Sequence, residues 1–292
     1  MSRHATSNPQ AVSVSMLKGG VGKSTIAVNL ADRLAARGND VLFADLDPNG
    51  HASMGLGFKD AYRDTDEHLG NVLFEGGDSG PMDVVHDSGF GFDVVPSSAN
   101  LARVERRLRN SMFSDVRLRR DFVDPLLSGE AYDYVVTDTP AYRGALADNA
   151  LVATQNLIVP LTPGHEALAG FERTLQRQIK PVREQIGLDI LAVVPNRVSG
   201  RMDQQNLDRV LVEDLNRNFG EFVPEFARIT PEEFDAIDDG RLTDLPKPGL
   251  RDRKAFTEAF GENKPVAHYD PENDAVEHLD ALAEHVVAEV GR

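Results

Sequence analysis

The stretch that decides the fold runs from Ala11 to Thr25 and reads AVSVSMLKGGVGKST. Its first part, Ala11–Met16, has the length and apolar character of a buried strand. Three glycines follow, and the amphipathic pattern of Ser24–Arg37, ended by Gly38, predicts a helix. A strand, a glycine-rich turn and a helix in this order are the context that a phosphate-binding P-loop requires. The chain therefore carries a candidate nucleotide site near its N-terminus.

The loop itself consists of residue types that suit a triphosphate: Lys18, Gly19, Gly20, Val21, Gly22, Lys23, Ser24 and Thr25. Glycines let backbone N–H groups curl around phosphate oxygens, and the first turn of the following helix adds its positive dipole end. We expect Lys23 to reach the β and γ phosphates and the Ser24 hydroxyl to ligate Mg²⁺. ATP and Mg²⁺ are the predicted cofactors, and a glycine-rich turn without a ligand is the alternative.

Three aspartates follow two further apolar runs. Asp45 and Asp47 come after Val41–Ala44, and Asp138 comes after Tyr134–Thr137. Ligands of parallel α/β sheets bind in the crevice outside the carboxyl ends of the strands, so these carboxylates are expected at the mouth of that crevice. Asp138 has the position of a Walker B aspartate, which holds Mg²⁺ through water. A strand-end turn or helix cap is the structural alternative for each.

Short apolar runs alternate with helical patterns along the chain, and this alternation predicts an α/β fold: a single P-loop NTPase domain, with a mostly parallel twisted sheet and helices on both faces. The further predicted strands are Phe92–Val95, Asn156–Pro160, Ile190–Val194 and, less regular, Val223–Phe226. The further predicted helices are Leu101–Arg109, Ala167–Ile186, Gln204–Asn218 and Asn273–Val290.

The domain is expected to cover residues 11–292, preceded by a flexible N-terminal tail at residues 1–10. Residues 230–248 are acidic and interrupted by prolines, which is typical of an irregular insertion. No Pro-, Gly- or Ser-rich linker divides the 292 residues into halves, so a single domain is preferred over two.

The amino-acid composition excludes several classes of protein. The chain has no cysteine, which excludes disulfides and thiolate ligation of metals or iron–sulfur clusters. It has no apolar stretch long enough for a membrane helix and no secretory signal, so a cytoplasmic location is expected. The net charge is −16, and arginine far exceeds lysine. This balance is typical of proteins from salt-loving archaea, with an ordinary acidic cytosolic protein as the alternative.

The loop resembles the deviant Walker A loop of the ParA/MinD family of ATPases, because Lys18 stands at its head and Leu17 replaces the usual glycine. In that family the extra lysine touches the nucleotide of a partner subunit, so the resemblance implies an ATP-sandwich homodimer. It further implies that Asp47 orients the attacking water and that Asp45 supports the loop and the Mg²⁺ shell. Asn196 and Arg197 resemble the pair that contacts adenine.

The resemblance spans residues 11 to about 288, with three departures from the usual pattern. Asn49 stands where glutamine is common, His51 where asparagine is frequent, and Ala141 where a second proline often follows Pro140. The first two put the rate of hydrolysis in doubt.

Within the family, the absence of cysteine excludes the iron–sulfur reductases, and the acidic final helix disfavours direct membrane binding of the MinD type. The chain is therefore most similar to the ParA/Soj-type partition ATPases. That resemblance implies nonspecific DNA binding, a nucleoid-associated location and a ParB-like adaptor that stimulates hydrolysis. The function it implies is partition or positioning of a plasmid, chromosome or other cargo.

Two basic clusters are candidates for the DNA contacts. The predicted contacts are Arg251, Arg253 and Lys254, and a second arginine-rich cluster spans residues 103–120. For both clusters the alternative is a solvated face neutralised by nearby acids. Two other functions stay open: a nucleotide-dependent scaffold or regulator with negligible hydrolysis, and a MinD-like positioning protein recruited to the membrane by a partner.

Overall fold

A single sheet organises the molecule in a computed structural model that describes residues 10–63, 67–74, 79–111, 114–199 and 201–290. Within these residues the sheet has eight strands. They are β1 (Gln10–Val14), β2 (Val41–Asp45), β3 (His86–Asp87), β4 (Asp93–Val95), β5 (Tyr134–Asp138), β6 (Asn156–Leu161), β7 (Asp189–Val198) and β8 (Leu250–Arg251).

The strand order β3-β4-β2-β5-β1-β6-β7-β8 puts β1 between β5 and β6. All neighbours are parallel except β3 and β4. In the register, Val14 of β1 and Asp45 of β2 both lie opposite Asp138 of β5. The carboxyl ends of these three strands are therefore level, and the P-loop and the three aspartates meet at one edge of the sheet.

The helices of the described residues are α1 (Lys23–Ala36), α2 (His51–Gly55), α3 (Lys59–Arg63), α4 (Leu69–Phe74), α5 (Leu101–Arg109), α6 (Asp124–Ser128), α7 (Ala145–Thr154), α8 (Ala167–Thr174), α9 (Lys180–Arg183), α10 (Leu207–Phe219), α11 (Pro231–Asp238), α12 (Lys254–Gly261), α13 (Val266–Tyr269) and α14 (Asp274–Glu289).

Alternate residues of the strands face opposite layers of helices, as the two-residue period of a strand requires. Val12 and Val14 of β1 pack in a core with α1 and α14, whereas Ala11 packs in a second core with α5 and α7. A third core joins β6 and β7 to α8, α9 and α10. The predicted class is confirmed: a single α/β domain with a mostly parallel sheet and helices on both faces.

The final helix is part of the core. Leu279, Leu282, Ala283 and Val286 of α14 are buried, and they belong to the core that contains α1. None of the helices in the described ranges is long and apolar enough to cross a bilayer.

The predicted strand Val223–Phe226 is wrong. Single 3₁₀ turns occur there instead, at Gly220–Phe222 and Glu225–Ala227. Pro224 has no N–H to donate to a neighbouring strand, which explains why a sheet ladder does not form. The predicted helix Ala167–Ile186 is interrupted by a π turn at Leu175–Ile179 that separates α8 from α9.

The structure corrects the predicted bounds of the N-terminal tail and the predicted character of segment 230–248. Gln10 was predicted to belong to the flexible tail but begins β1, and the rest of that tail lies outside the described residues. The segment 230–248 is not irregular throughout, because α11 occupies its first part. Thr230 caps α11 by accepting a hydrogen bond from the Glu233 amide at 3.2 Å, and the Glu233 carboxylate accepts one from the Thr230 amide at 2.7 Å. This capping box was present in the sequence as T-P-E-E.

Candidate nucleotide-binding site

The loop between β1 and α1 has the backbone of an anion cradle. Gly20 and Gly22 have left-handed φ angles of 76° and 91°, which glycine adopts without steric cost. Gly22 precedes the first residue of α1, and no side chain caps that helix, so its first amides are left for a ligand. A Cβ on Gly22 would lie 2.1 Å from Nδ2 of Asn196, so glycine is also required by close packing.

Asn196, near the end of β7, is hydrogen-bonded to the backbone of this loop. Its Nδ2 donates to the Val21 carbonyl at 2.8 Å, and its Oδ1 accepts from the Arg197 amide at 3.0 Å. Arg197 itself has a left-handed φ of 59°, an uncommon conformation that an arginine adopts only where its surroundings impose it. The predicted Asn196–Arg197 pair therefore lies against the P-loop, with the Arg197 side chain exposed.

The two lysines of the loop differ in environment. Lys23 is buried, and its ammonium donates to the Lys18 carbonyl at 3.3 Å. Burial lowers the pKa of Lys23, while the charges of Asp138 and Asp47 act in the opposite direction. Lys18 is partly exposed and makes no ion pair with any residue that the structure describes. One lysine thus lies inside the cradle, and the other is available at its rim.

Asp45 is bound on three sides by protein groups. It accepts from the Asp47 amide at 3.1 Å, from the Ser53 amide at 2.9 Å and from the Ser53 hydroxyl at 2.6 Å. Burial nevertheless raises its pKa to about 6, with a further contribution from the Asp47 charge. The serines that complete this network, Ser53 and Ser97, were not predicted; Ser97 donates to the Asp47 carbonyl at 2.6 Å. No spacing rule links them to Asp45.

Asp47 lies at the same edge with one carboxylate oxygen occupied. Its Oδ1 accepts from the Asn49 amide at 3.0 Å and from the Asn49 side chain at 2.9 Å. Asn49 is one of the residues that depart from the family pattern, and the structure shows that it turns back onto the predicted water-orienting carboxylate.

Asp138 is the least satisfied group in the site. It is fully buried, and neither carboxylate oxygen has a hydrogen-bond partner of ordinary geometry among the described residues. Burial and the neighbouring Asp45 charge raise its pKa well above the usual range, opposed by the nearby Ser24 hydroxyl and the Lys23 ammonium. A buried carboxylate with incomplete hydrogen bonding is costly, so this geometry favours a further partner from outside the chain.

The donor set at this edge fits Mg²⁺ held together with phosphates. Ser24, Asp45 and Asp138 offer the oxygen ligands that Mg²⁺ prefers. No group of three or more His, Cys, Asp or Glu side chains within the described ranges is placed to hold a metal by itself. In kinases and ATPases, substrate phosphates and waters complete the shell of Mg²⁺.

Beside the loop lies a cavity of about 230 Å³ between β7, β8 and α12. Its wall combines predicted and unpredicted residues: Thr25, Asn196, Arg197, Arg251, Asp252, Arg253, Phe256, Thr257 and Phe260. Phe256 and Phe260 supply aromatic surface next to Thr25, and nothing in their spacing could have revealed this. They lie more than 200 residues from the P-loop in sequence and reach it only because α12 packs against α2.

The three predicted DNA contacts have different surroundings in the structure. Arg251 and Arg253 line this cavity and both form ion pairs with Asp274, Arg251 at 3.1 Å. Lys254 is exposed at the start of α12. Two of the three predicted positive groups thus share one carboxylate within the protein, whereas Lys254 has no ion pair with a described residue.

Glu105 is a further residue of the site that the sequence did not reveal. It is buried on α5 and caps α7, where its two carboxylate oxygens accept from the Ala145 amide at 2.7 Å and the Leu146 amide at 2.8 Å. Arg109 donates to the same carboxylate at 2.9 Å. A Cβ on Gly144 would lie 2.4 Å from a Glu105 oxygen. The loop that leaves Asp138 is thereby attached to α5.

Comparisons with known proteins agree with this geometry. A family model described as an AAA domain matches residues 9–191. The chain is 34% identical over 222 residues to the chromosome partitioning protein ParA of Caulobacter vibrioides, which covers 75% of this chain and 80% of ParA. It is 28% identical over 280 residues to the sporulation initiation inhibitor protein Soj of Bacillus subtilis, which covers 95% and 98% of the two chains.

Among solved structures, the ATP complex of a single-residue variant of Cyanothece McdA superposes with a TM-score of 0.72 at 18% identity and covers 97% of each chain. That McdA structure is a complex with ATP, and a structure of cobyrinic acid a,c-diamide synthase from Mycobacterium smegmatis, with a TM-score of 0.63 and 25% identity over 84% of this chain, contains ADP and magnesium. The chain belongs to the ParA/MinD family of P-loop ATPases, and its sequence relatives are the Soj/ParA partition proteins.

Proposed function

We propose that the chain is an ATP-dependent dimerising ATPase that binds DNA nonspecifically and drives partition or positioning of a plasmid, chromosome or other cargo. It would act in the cytoplasm on nucleoid DNA, together with an adaptor that stimulates hydrolysis. The observation that supports this most directly is the arrangement of Lys23 and Asp138. A buried ammonium and an unsatisfied buried carboxylate face the same glycine cradle, which suits a phosphate chain and its cation.

Each residue has a role that its position allows. The amides of Gly19 to Thr25 would bind the phosphates, and Lys23 would neutralise charge that develops on the transferred phosphoryl group. Asp47 would orient the attacking water through the oxygen that Asn49 leaves free. Mg²⁺, when bound, would neutralise negative charge on the phosphates.

The nucleotide would be shared between two copies of the chain. Ser24, Asp45 and Asp138 would hold Mg²⁺ with the phosphates, and Asn196 with Arg197 would contact the base. Lys18, which has no ion pair in the described part of the chain, would reach the nucleotide of the partner copy.

ATP turnover tests the enzymatic part of the proposal. Lys23→Ala should lower turnover by about 10²- to 10³-fold, the range for removing one preorganised group that stabilises transition-state charge. Lys180→Ala is a matched control, because Lys180 is exposed on α9, away from the cradle. Unchanged turnover in Lys23→Ala would refute the assignment.

Light scattering after size exclusion tests dimerisation. The unmodified chain should form a dimer with ATP and not with ADP. Lys18→Ala should remain a monomer with ATP while still binding it, because its own cradle keeps Lys23. A dimer of Lys18→Ala with unchanged ATP dependence would remove Lys18 from the interface.

A second function is favoured by one specific contact. Since Asn49 occupies an oxygen of Asp47, hydrolysis could be slow enough for the chain to act as a nucleotide-dependent scaffold or regulator. Single-turnover measurements separate the two functions, because a scaffold should hold ATP for hours. Asn49→Gln should then accelerate hydrolysis if the occupied oxygen limits it.

A further inference from the structure

Three arginines on the exposed side of α5 carry positive charge that the described part of the chain does not neutralise. Arg103, Arg106 and Arg107 are exposed, and none of them forms an ion pair with a described residue. Arg109, on the same helix, is paired with Glu105 at 2.9 Å. In a chain of net charge −16, a strip of three unpaired guanidinium groups is an exception.

The strip borders a groove of about 540 Å³, and Phe74 and Arg117 also line this groove. The guanidinium carbon of Arg107 lies 4.2 Å from the centre of the Phe74 ring, and that of Arg117 lies 4.8 Å from it. Stacking on an aromatic face holds a guanidinium in place without consuming its N–H groups. Arg107 is therefore held in place with its donors available for an anion, whereas Arg117 is already engaged by Asp121 at 3.9 Å and by the Leu73 carbonyl at 2.8 Å.

We propose that this strip, Arg103, Arg106 and Arg107, is the surface that binds the phosphate backbone of DNA. The proposal rests on the DNA binding included in the proposed function and assigns its location. Residues three and four apart on a helix are neighbours on one face, so the three guanidinium groups form a short row of positive charge. Arginine forks match phosphate oxygens bidentately, and a nucleic-acid backbone presents such oxygens at regular intervals.

A protein partner fits this surface less well. Stable protein interfaces are centred on buried aromatic or aliphatic anchors. None of the large apolar side chains that are exposed among the described residues lines this groove: Met82, Tyr142, Leu207, Val210, Tyr269 and Val287. Acidic surface over the rest of the molecule also repels DNA, which would confine a duplex to the basic strip.

The strip differs from the cluster that the sequence favoured. Arg251 and Arg253 share Asp274 as their ion-pair partner and line the cavity beside the P-loop, so their charge is engaged within the protein. The α5 arginines have no such partner in the described ranges. The structure thus moves the expected DNA surface from the start of α12 to α5.

Fluorescence anisotropy with a short labelled duplex of mixed sequence, at saturating ATP and over a series of salt concentrations, tests the location. The variant R103A/R106A/R107A should bind about 10²-fold more weakly at about 0.1 M salt, and its plot of log K against log salt should be shallower by about 2.7, or 0.9 per lost phosphate contact. R103K/R106K/R107K, which keeps the charge, should retain the slope of the unmodified chain.

The matched control is R201A/R217A/R241A. It changes the net charge by the same amount, but its arginines are exposed and already paired with Asp203, Asp214 and Asp239. Its salt slope should equal that of the unmodified chain. Thermal unfolding of every variant, without DNA, shows that the fold is retained.

The two proposals fail in different ways. If the unmodified chain binds the duplex and R103A/R106A/R107A binds with the same affinity and slope, the assignment to α5 is overturned and DNA binding stands. If the unmodified chain binds no duplex at any salt concentration, DNA binding itself is refuted, and α5 with it. If a polyglutamate peptide binds the strip and the duplex does not, the partner is an acidic protein and the proposal is wrong.

Discussion

Two of the clusters of buried charge among the described residues differ in how completely the protein satisfies them. In the first, between α10 and α11, Arg209 is only 3% exposed, and each of its guanidinium nitrogens has an acceptor. Asp238 accepts from it at 2.7 and 2.8 Å, and Glu213 accepts at 2.6 Å. In the second, at the edge of the sheet, Asp138 is fully buried and its oxygens have no partner of ordinary geometry in the described chain.

The difference distinguishes a structural cluster from a ligand site. Burying a charge costs several kcal/mol unless hydrogen bonds and an opposite charge offset it. The Arg209 cluster is complete and needs nothing from outside. The cluster of Asp138, Lys23 and Asp45 is incomplete, so a phosphate chain with its cation can stabilise it further. Four experiments can break or sharpen this contrast.

The largest expected effect comes from Asp138→Asn. Loss of the charge that supports Mg²⁺ should lower ATP turnover by about 10²-fold. Without nucleotide the variant should melt at a higher temperature than the unmodified chain, because an amide has no charge to bury. Turnover at saturating Mg²⁺ and thermal unfolding without nucleotide measure the two effects.

Asp115→Asn is the control, since Asp115 is exposed and has no ion pair in the described residues. A marked loss of stability in nucleotide-free Asp138→Asn would show that Asp138 is satisfied by the protein after all, and the contrast would disappear.

Arg209→Ala should have the opposite effects: a loss of stability and no loss of turnover. Loss of the buried guanidinium and its hydrogen bonds should cost about 1–3 kcal/mol, because Asp238 and Glu213 lose a charged partner but stay partly exposed to solvent. ATP turnover per folded molecule should be unchanged. Chemical denaturation gives the free energy of unfolding, and active-site titration corrects the turnover for unfolded protein.

Arg217→Ala on the same helix is the matched control. Its ion pair with Asp214 is exposed and 3.9 Å long, so its loss should cost less than about 1 kcal/mol. Reduced turnover in correctly folded Arg209→Ala would place the α10–α11 cluster in the nucleotide machinery.

Glu105 combines features of the structural cluster and of the ligand site. Protein groups satisfy its hydrogen bonds, but it also holds the loop that follows Asp138. Glu105→Gln should cost about 1–2 kcal/mol of stability, as expected for a lost charged cap. It should also lower kcat without changing the KM for ATP, since the P-loop itself is untouched.

Gly144→Ala should reproduce both effects by displacing the Glu105 carboxylate, which a Cβ would approach to 2.4 Å. The double variant should be no worse than either single one, because both break the same contact. Additive losses would mean that Gly144 and Glu105 act separately.

The smallest expected effect concerns Asp148 on α7. Burial raises its pKa, and Glu105 adds to the shift, while Arg143 at 3.6 Å opposes it. Because its pKa is higher in the folded chain than in the unfolded chain, Asp148 favours folding at low pH, and this contribution is lost as the pH rises through the folded-state pKa. Asp148→Asn should therefore be more stable than the unmodified chain at pH 8, with a smaller difference at pH 4. A stability difference that does not depend on pH would show that charge burial is not the cause.

Much of the fold was predictable from the sequence because its signals are local. The glycine pattern before Lys23, the apolar run before Asp45 and the run before Asp138 each specify a strand end by themselves. Since parallel strands end at the same edge of a sheet, these separate motifs also predicted one common site. The wrong strand at Val223–Phe226 came from the same kind of signal, with Pro224 given too little weight.

The sequence by itself thus determined the α/β class, the phosphate cradle and the aspartates around it. Only the tertiary structure decided which charges are free. Arg251 and Arg253 resemble Arg103 and Arg106 in the sequence, but the first two are both ion-paired with Asp274, and no described residue forms an ion pair with the others. The physical reason is that hydrogen bonds and ion pairs depend on distance in space, which residues far apart in the chain reach only after the helices have packed on the sheet.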